Sequence, residues 1–238
     1  ERTDVRRDAL IGSCRVLTLP VYFISQRSGI GDYLFLDLMP AAFFFLIKSI
    51  RTHKKLVIAI SYVIFGIAVL SADAAIVTVP LFVAGAFIYH VAVRKSDRAG
   101  YALLLVPFAI ITLVIVFVLH FKGNVSFTNM SSNITSVKNM LWDDLHPYNI
   151  SSTFGTVYVF SIPLLIVGMI VSFRKMIASF KERTFAAHTL LWIFLLSSVL
   201  GALMTENADI PKSCAIFFPL TAFTGFGMIY VAENMKYA

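Results

Sequence analysis

The chain has 238 residues, of which 58% are hydrophobic and 14% are charged. A soluble domain carries about 25% charged residues, so this composition excludes an ordinary soluble protein. The net charge of +7 does not indicate nucleic-acid binding, because the basic residues stand in short clusters between apolar runs. The two cysteines, Cys14 and Cys214, are too few for a disulfide framework and form no metal-binding motif.

Apolar runs predict eight membrane-spanning segments in chain order. They cover residues 9–25, 30–47, 56–72, 74–93, 99–121, 156–173, 186–205 and 214–232. Most approach the roughly 20 residues that an α-helix needs to cross a bilayer. In hydrocarbon every backbone polar group must be paired within the protein, and the runs lack the alternation of barrel strands. We therefore predict an all-α, polytopic integral membrane protein, with residues 1–238 as a single transmembrane domain.

The basic residues predict the orientation of these helices. With the N-terminus in the cytoplasm, 15 of the 20 Lys and Arg residues fall in inner segments and four in outer ones. The inner segments are 1–8, 48–55, 94–98, 174–185 and 233–238. The outer four residues are Arg27, Lys122, Lys138 and Lys212. This positive-inside excess predicts that both termini are cytoplasmic and that 122–155 is an extracytoplasmic loop.

The predicted outer loop is the only long polar interval of the sequence. It contains four N-x-[ST] triplets, at Asn124, Asn129, Asn133 and Asn149. In a eukaryotic secretory protein these would be glycan acceptors. The alternative interpretation is that Asn and Ser are simply frequent in a polar loop.

Asp37 lies inside the second predicted helix, about 10 Å below its outer end, with Asp32 nearer the membrane surface. An ionisable group at this depth is expected to face the protein interior or a wet cavity. Asp37 either lines an outward-facing cavity or pairs with Arg15 or Arg27. Both interpretations stay open at this point.

Arg27 and Lys212 place positive charge on the outer side, against the insertion bias. Guanidinium and ammonium groups bind phosphate well, so each is a candidate phosphate contact or a headgroup anchor. The sequence shows no Ser/His/Asp or Cys/His constellation and no Gly-rich phosphate loop. Gly225 and Gly227 predict helix packing in the last helix.

Four stretches carry a family resemblance by their order and spacing. They are 25–32, 61–80, 149–168 and 212–220. The most specific is 149–168, NISSTFGTVYVFSIPLLIVG, in which a helix reads Tyr-x-x-Ser-x-Pro-x-x-x-x-Gly. These stretches resemble the GT-C membrane glycosyltransferases of the dolichyl-phosphate-mannose-protein mannosyltransferase/aminoarabinose transferase-like class (glycosyltransferase family 39-like).

The resemblance implies a helical enzyme of the bacterial plasma membrane with an outward-facing cavity. Such an enzyme transfers a sugar from a polyprenyl-phosphate donor to an extracytoplasmic glycan, lipid or protein. Arg27 and Lys212 would contact the phosphate, and Asp32 and Asp37 would contact or support the sugar. The class carries its acidic pair in an earlier outer loop, so we expect a fragment whose principal catalytic carboxylate lies upstream of Glu1.

Two departures from the class pattern keep other functions open. Ala72-Asp73 stands where many relatives carry Lys, and Lys212 stands where they carry Arg. A transporter or lipid flippase, suggested by Asp37 and the prolines within helices, is one alternative, and a non-catalytic subunit of the same fold is another. No cofactor or metal site is predicted, and the sugar, the acceptor and any divalent metal are left open.

Overall fold

A computed structural model describes seven segments of the chain. They are residues 34–52, 55–71, 73–93, 130–142, 161–182, 186–204 and 213–234. All the secondary structure in these segments is helical. The helices are α1 (Leu34–Thr52), α2 (Lys55–Ser71), α3 (Asp73–Val93), α4 (Met130–Trp142), α5 (Ile162–Glu182), α6 (Ala187–Met204), a 3-10 turn (Cys214–Ile216) and α7 (Phe217–Asn234).

Three of the described helical segments are long and apolar enough to cross a membrane. They are Ile162–Glu182, Ala187–Met204 and Cys214–Asn234. Shorter apolar stretches, Leu56–Ser71 and Ala75–Tyr89, make up most of α2 and α3. The all-helical class is therefore confirmed for the described residues. The predicted segments 9–25 and 99–121 lie outside them, so the count of eight stays a prediction.

Three helices depart from the expected boundaries. α1 runs to Thr52, five residues past the predicted end at residue 47 and into the predicted inner segment 48–55. α5 runs to Glu182, so residues 174–182 of the predicted inner loop are helical. Lys and Arg are good helix formers, and a helix can continue from hydrocarbon into water without losing its internal hydrogen bonds. α4 lies within the predicted outer loop, where no helix was predicted. Its Ser, Thr and Asn residues favour turns locally, which hides the helix from a sequence pattern.

Five phenylalanine rings from five helices form the centre of the bundle, and we call them the phenylalanine cluster. They are Phe43, Phe65, Phe82, Phe194 and Phe218. Ring centroids lie 4.9 Å apart for Phe43–Phe82 and Phe43–Phe218, and 5.2 Å apart for Phe82–Phe194. These separations are typical of favourable aromatic pairs. The cluster thus joins α1, α2, α3, α6 and α7 in one core.

α5 joins this core through a close crossing with α7. A methyl group built on Gly168 would overlap the Phe223 carbonyl, and one built on Gly227 would overlap the Leu164 carbonyl. The two backbones therefore touch directly, as small residues allow in membrane helix pairs. Gly225 has open space instead, so the predicted packing role is confirmed for Gly227 alone.

A polar group joins the end of α3, the end of α5 and the start of α6. The Ser179 hydroxyl lies 3.3 Å from both the Tyr89 and the Thr189 hydroxyl oxygens. The Ala186 backbone N–H donates to the Tyr89 hydroxyl at 3.0 Å. All three helix ends are predicted to be cytoplasmic, so their meeting agrees with the helix directions expected from the basic residues.

Candidate functional site

The 3-10 turn that opens α7 is the most enclosed feature at the predicted outer helix ends. Residues 213–219 are all buried, and the turn packs against α1, α3, α6 and α7. The Ile216 N–H donates to the Ser213 carbonyl at 3.1 Å. Pro219 stands in the first turn of α7, where its missing N–H has no intrahelical partner to lose. The local sequence thus both begins the helix and holds the turn in place.

Ser213 places a buried hydroxyl at the start of this 3-10 turn. Its side chain is 0% exposed, and its Oγ has no hydrogen-bond partner within the described residues. A buried hydroxyl left unpaired costs about 1–3 kcal/mol, which a bound acceptor atom would recover. Ser213 directly follows Lys212 in the chain, so this hydroxyl lies beside a predicted phosphate contact in sequence.

α4 packs against the C-terminal end of α6 through Asn133. The Asn133 Nδ2 donates to the Leu203 carbonyl at 3.0 Å, and Asn133 is only 2% exposed. Leu203 is in the last turn of α6, whose carbonyls have no partner within the helix. An Asn that is buried and donating in this way is not available to a glycan, so the N-x-[ST] triplet at Asn133 is structural. Its partner is 70 residues away, and no local pattern signals it.

Asp37 is expected to face the protein interior or a wet cavity, and the residues that the structure describes do not decide between these placements. It lies on the exposed face of α1, together with Leu34, Phe44 and Lys48. The core-facing positions of this part of the helix are taken by apolar neighbours, Phe35, Leu36 and Met39. Helical spacing places Asp37 and Phe44, seven residues apart, on one side of α1. Asp37 therefore does not enter the buried core of the described helices.

The other three predicted site residues, Arg27, Asp32 and Lys212, lie outside the described residues, as does Arg15. The four predicted substrate contacts are therefore not brought together in the described part of the chain. The polar groups that sequence reasoning missed at this end are Ser213 and Asn133. Among the described residues, no group of three His, Cys, Asp or Glu side chains could hold a metal ion.

A small cavity between α1, α2 and α3 is lined mainly by apolar side chains. Its volume is about 20 Å³, close to the size of one water molecule, and it includes Leu46, Ile58, Tyr62 and Ala86 in its lining. Because its lining is almost wholly apolar, it does not fit a sugar phosphate.

The fold and its sites define an all-helical protein whose described part holds three helices suited to a membrane. Comparisons with protein-family models, with curated proteins and with solved structures find no match to this chain.

Proposed function

We propose that this chain is part of a polytopic glycosyltransferase of the bacterial plasma membrane. It transfers a sugar from a polyprenyl-phosphate donor to an extracytoplasmic glycan, lipid or protein acceptor. The observation that carries the proposal is the convergence of the stretches with the family resemblance. Their described parts lie on α2 and α3, on α5, and on the 3-10 turn with α7.

These stretches pack into one bundle. Phe43 contacts Phe65 of the second stretch at 6.1 Å and Phe218 of the fourth at 4.9 Å. Gly168, which ends the third stretch, lies against the backbone of α7. Segments that resemble one family in sequence order are thus also neighbours in space, as the parts of one active enzyme core would be.

The proposed reaction is a displacement at the anomeric carbon of the sugar. The acceptor hydroxyl forms the new C–O bond, its proton passes to a carboxylate that acts as general base, and the bond to polyprenyl phosphate breaks. Arg27 and Lys212 stabilise the negative charge on the departing phosphate. Ser213 adds a hydroxyl donor next to Lys212 in the chain. Asp37, in the outer part of α1, and Asp32, in the segment before it, contact or support the sugar.

The orientation of the helices is tested by cysteine labelling in spheroplasts. In a Cys14→Ser background, Ser131→Cys on α4 is expected to react with a membrane-impermeant maleimide in intact cells. Lys181→Cys at the end of α5 is expected to react only after permeabilisation. Both positions are exposed, whereas the remaining Cys214 is 0% exposed and serves as the unlabelled control. The reverse labelling pattern would contradict the predicted orientation.

The activity is tested with the full-length protein that contains this chain, purified into proteoliposomes, using undecaprenyl-phosphate-linked mannose and aminoarabinose as donors. Release of undecaprenyl phosphate is measured by chromatography. Arg27→Ala and Lys212→Ala are each expected to lower kcat/KM about 100-fold, the usual effect of losing one donor to a developing anion. Lys212→Arg is expected to retain most of the activity.

The matched control is Lys122→Ala, which removes an outer lysine with no assigned role. Absence of any release by the unaltered full-length protein with both donors would contradict the glycosyltransferase proposal and favour a transporter or a non-catalytic subunit. Equal activity of all these variants would remove Arg27 and Lys212 from the site.

A further inference from the structure

Among the described residues of α5 and α6, three buried side-chain atoms have no hydrogen-bond partner. They are the Ser172 Oγ, the His188 Nδ1 and the Trp192 Nε1. Ser172 is 0% exposed, and its hydroxyl does not donate to the preceding turn of α5. Each unpaired polar atom costs about 1–3 kcal/mol, so three together are expensive unless something binds them.

Ring contacts place Trp192 between α5 and α7, and His188 against α7. The Trp192 ring lies 5.7 Å from Phe173 of α5 and 5.0 Å from Phe223 of α7. The His188 ring, one turn earlier on α6, lies 4.5 Å from Phe226 of α7. The indole and imidazole groups therefore both face the junction with α7.

Lys175 adds a positive charge to this junction. It interacts electrostatically with His188 across the α5–α6 contact. Ser172, Lys175 and Ser179 share one side of α5 by helical spacing. The Ser179 hydroxyl lies 3.3 Å from the Thr189 hydroxyl, so this side of α5 faces the start of α6. We call Ser172, Lys175, His188 and Trp192 together the Trp192 site.

The chemistry of the Trp192 site suits an oxyanion. The indole N–H and the ammonium group only donate, and the hydroxyl and imidazole groups can also donate. None of the four side chains is acidic. Hydrogen bonds from charged donors to phosphate oxygens are stronger than those between neutral groups.

The predicted depth of the site fits a phospholipid headgroup. Lys175 belongs to the basic segment 174–185 that is predicted to lie at the cytoplasmic surface. Trp is enriched at this level of a membrane, where its ring is apolar and its N–H meets polar groups. Basic side chains between helices on this side are suited to anionic lipid headgroups.

We propose that the Trp192 site binds a phosphate group, supplied by an anionic phospholipid of the cytoplasmic leaflet. The Lys175 ammonium and the Trp192 N–H hold the phosphate oxygens, and the Ser172 hydroxyl adds a buried donor. This site is separate from the predicted outer sugar-phosphate site and does not depend on glycosyl transfer.

The test uses the fluorescence of Trp192 in the full chain. The sequence has two tryptophans, so Trp142→Phe leaves Trp192 as the only reporter. The purified protein in neutral detergent is titrated with dihexanoyl-phosphatidylglycerol, with dihexanoyl-phosphatidylcholine and with inorganic phosphate. We expect a saturable change with phosphatidylglycerol and a weaker one with phosphatidylcholine. Competition by inorganic phosphate would assign recognition to the phosphate itself, and its absence would assign it to the lipid headgroup.

Lys175→Ala is expected to raise the apparent Kd about ten-fold, and Ser172→Ala about three-fold, from the loss of one charged and one neutral hydrogen bond. Lys175 is exposed, so its replacement is compatible with folding. Lys181→Ala removes the same charge from the exposed end of the same helix and is expected to leave the Kd unchanged. Equal weakening by Lys175→Ala and Lys181→Ala, or no saturable response to any of the three probes, would overturn the proposal.

Discussion

Gly168→Ala is expected to separate α5 from α7 and to destabilise the protein by roughly 3 kcal/mol, the upper end for overpacking. The added methyl group would meet the Phe223 carbonyl, which is backbone and cannot rotate away as a side chain can. Gly227→Ala is expected to act in the same way from the opposite helix, through the Leu164 carbonyl. The measurement is the midpoint of thermal unfolding, followed by fluorescence-detected size exclusion in detergent.

The controls for this experiment are glycines in the same kind of helix. Gly225 on α7 and Gly66 on α2 have no atom within 4 Å of a built Cβ. Replacing Gly with Ala inside a helix gains about 1 kcal/mol in propensity when space is available. Gly225→Ala and Gly66→Ala are therefore expected to be neutral or stabilising. A loss of stability equal to that of Gly168→Ala would show that the effect does not come from the α5–α7 crossing.

Phe194→Ala is the second substitution with a large expected effect. The Phe194 ring is 0% exposed and lies between 5.2 and 5.6 Å from Phe43, Phe82 and Phe218. In a bilayer the transfer term nearly vanishes, since lipid is as apolar as a leucine-rich core, and the cavity term remains. Removal of a ring of about 100 Å³ at about 24 cal/mol per Å³ costs about 2.4 kcal/mol.

The matched control for the ring deletion is Phe44→Ala, because Phe44 is 58% exposed on the outside of α1. Its loss leaves no cavity and is expected to change the unfolding midpoint little. Phe194→Leu is expected to fall between the two, since the leucine side chain fills part of the space. Equal shifts for Phe194→Ala and Phe44→Ala would argue against the phenylalanine cluster as the centre of the core.

Gly225 and Gly227 show what a sequence pattern cannot predict about helix packing. Gly225 and Gly227 are two residues apart in one apolar helix, and both suit close packing by composition. Which of them meets α5 depends on the rotation of α7 about its own axis. That rotation is decided by the other helices, through rings such as Phe218 and Phe223. A single helix sequence with apolar residues on every side does not carry this information.

For the polar residues Asn133 and Asp37 as well, the local sequence does not determine the surroundings of the side chain. Asn133 reads as an exposed loop residue, yet it is buried and donates to Leu203. The depth of Asp37 in its helix predicts that it faces the interior or a wet cavity, and its place on the exposed face of α1 leaves the cavity open. For Asn133 the decisive partner, Leu203, comes from a helix distant in sequence. The predicted donor contacts Arg27, Asp32 and Lys212 lie outside the described residues and remain predictions.

The sequence by itself determined that this chain is helical and suited to a membrane. It located α2, α3 and α6 to within one residue, and α7 to within three. Apolar runs predict helices because backbone groups in hydrocarbon must be paired within the segment itself. Charge clusters mark the loops between the helices. Only the tertiary structure decided that Gly168 meets Gly227, that Asn133 caps α6, and that Ser172 and Trp192 hold buried donors without partners among the described residues. Those outcomes depend on how far apart helices lie and how each is rotated, and both are set by packing among residues that are remote along the chain.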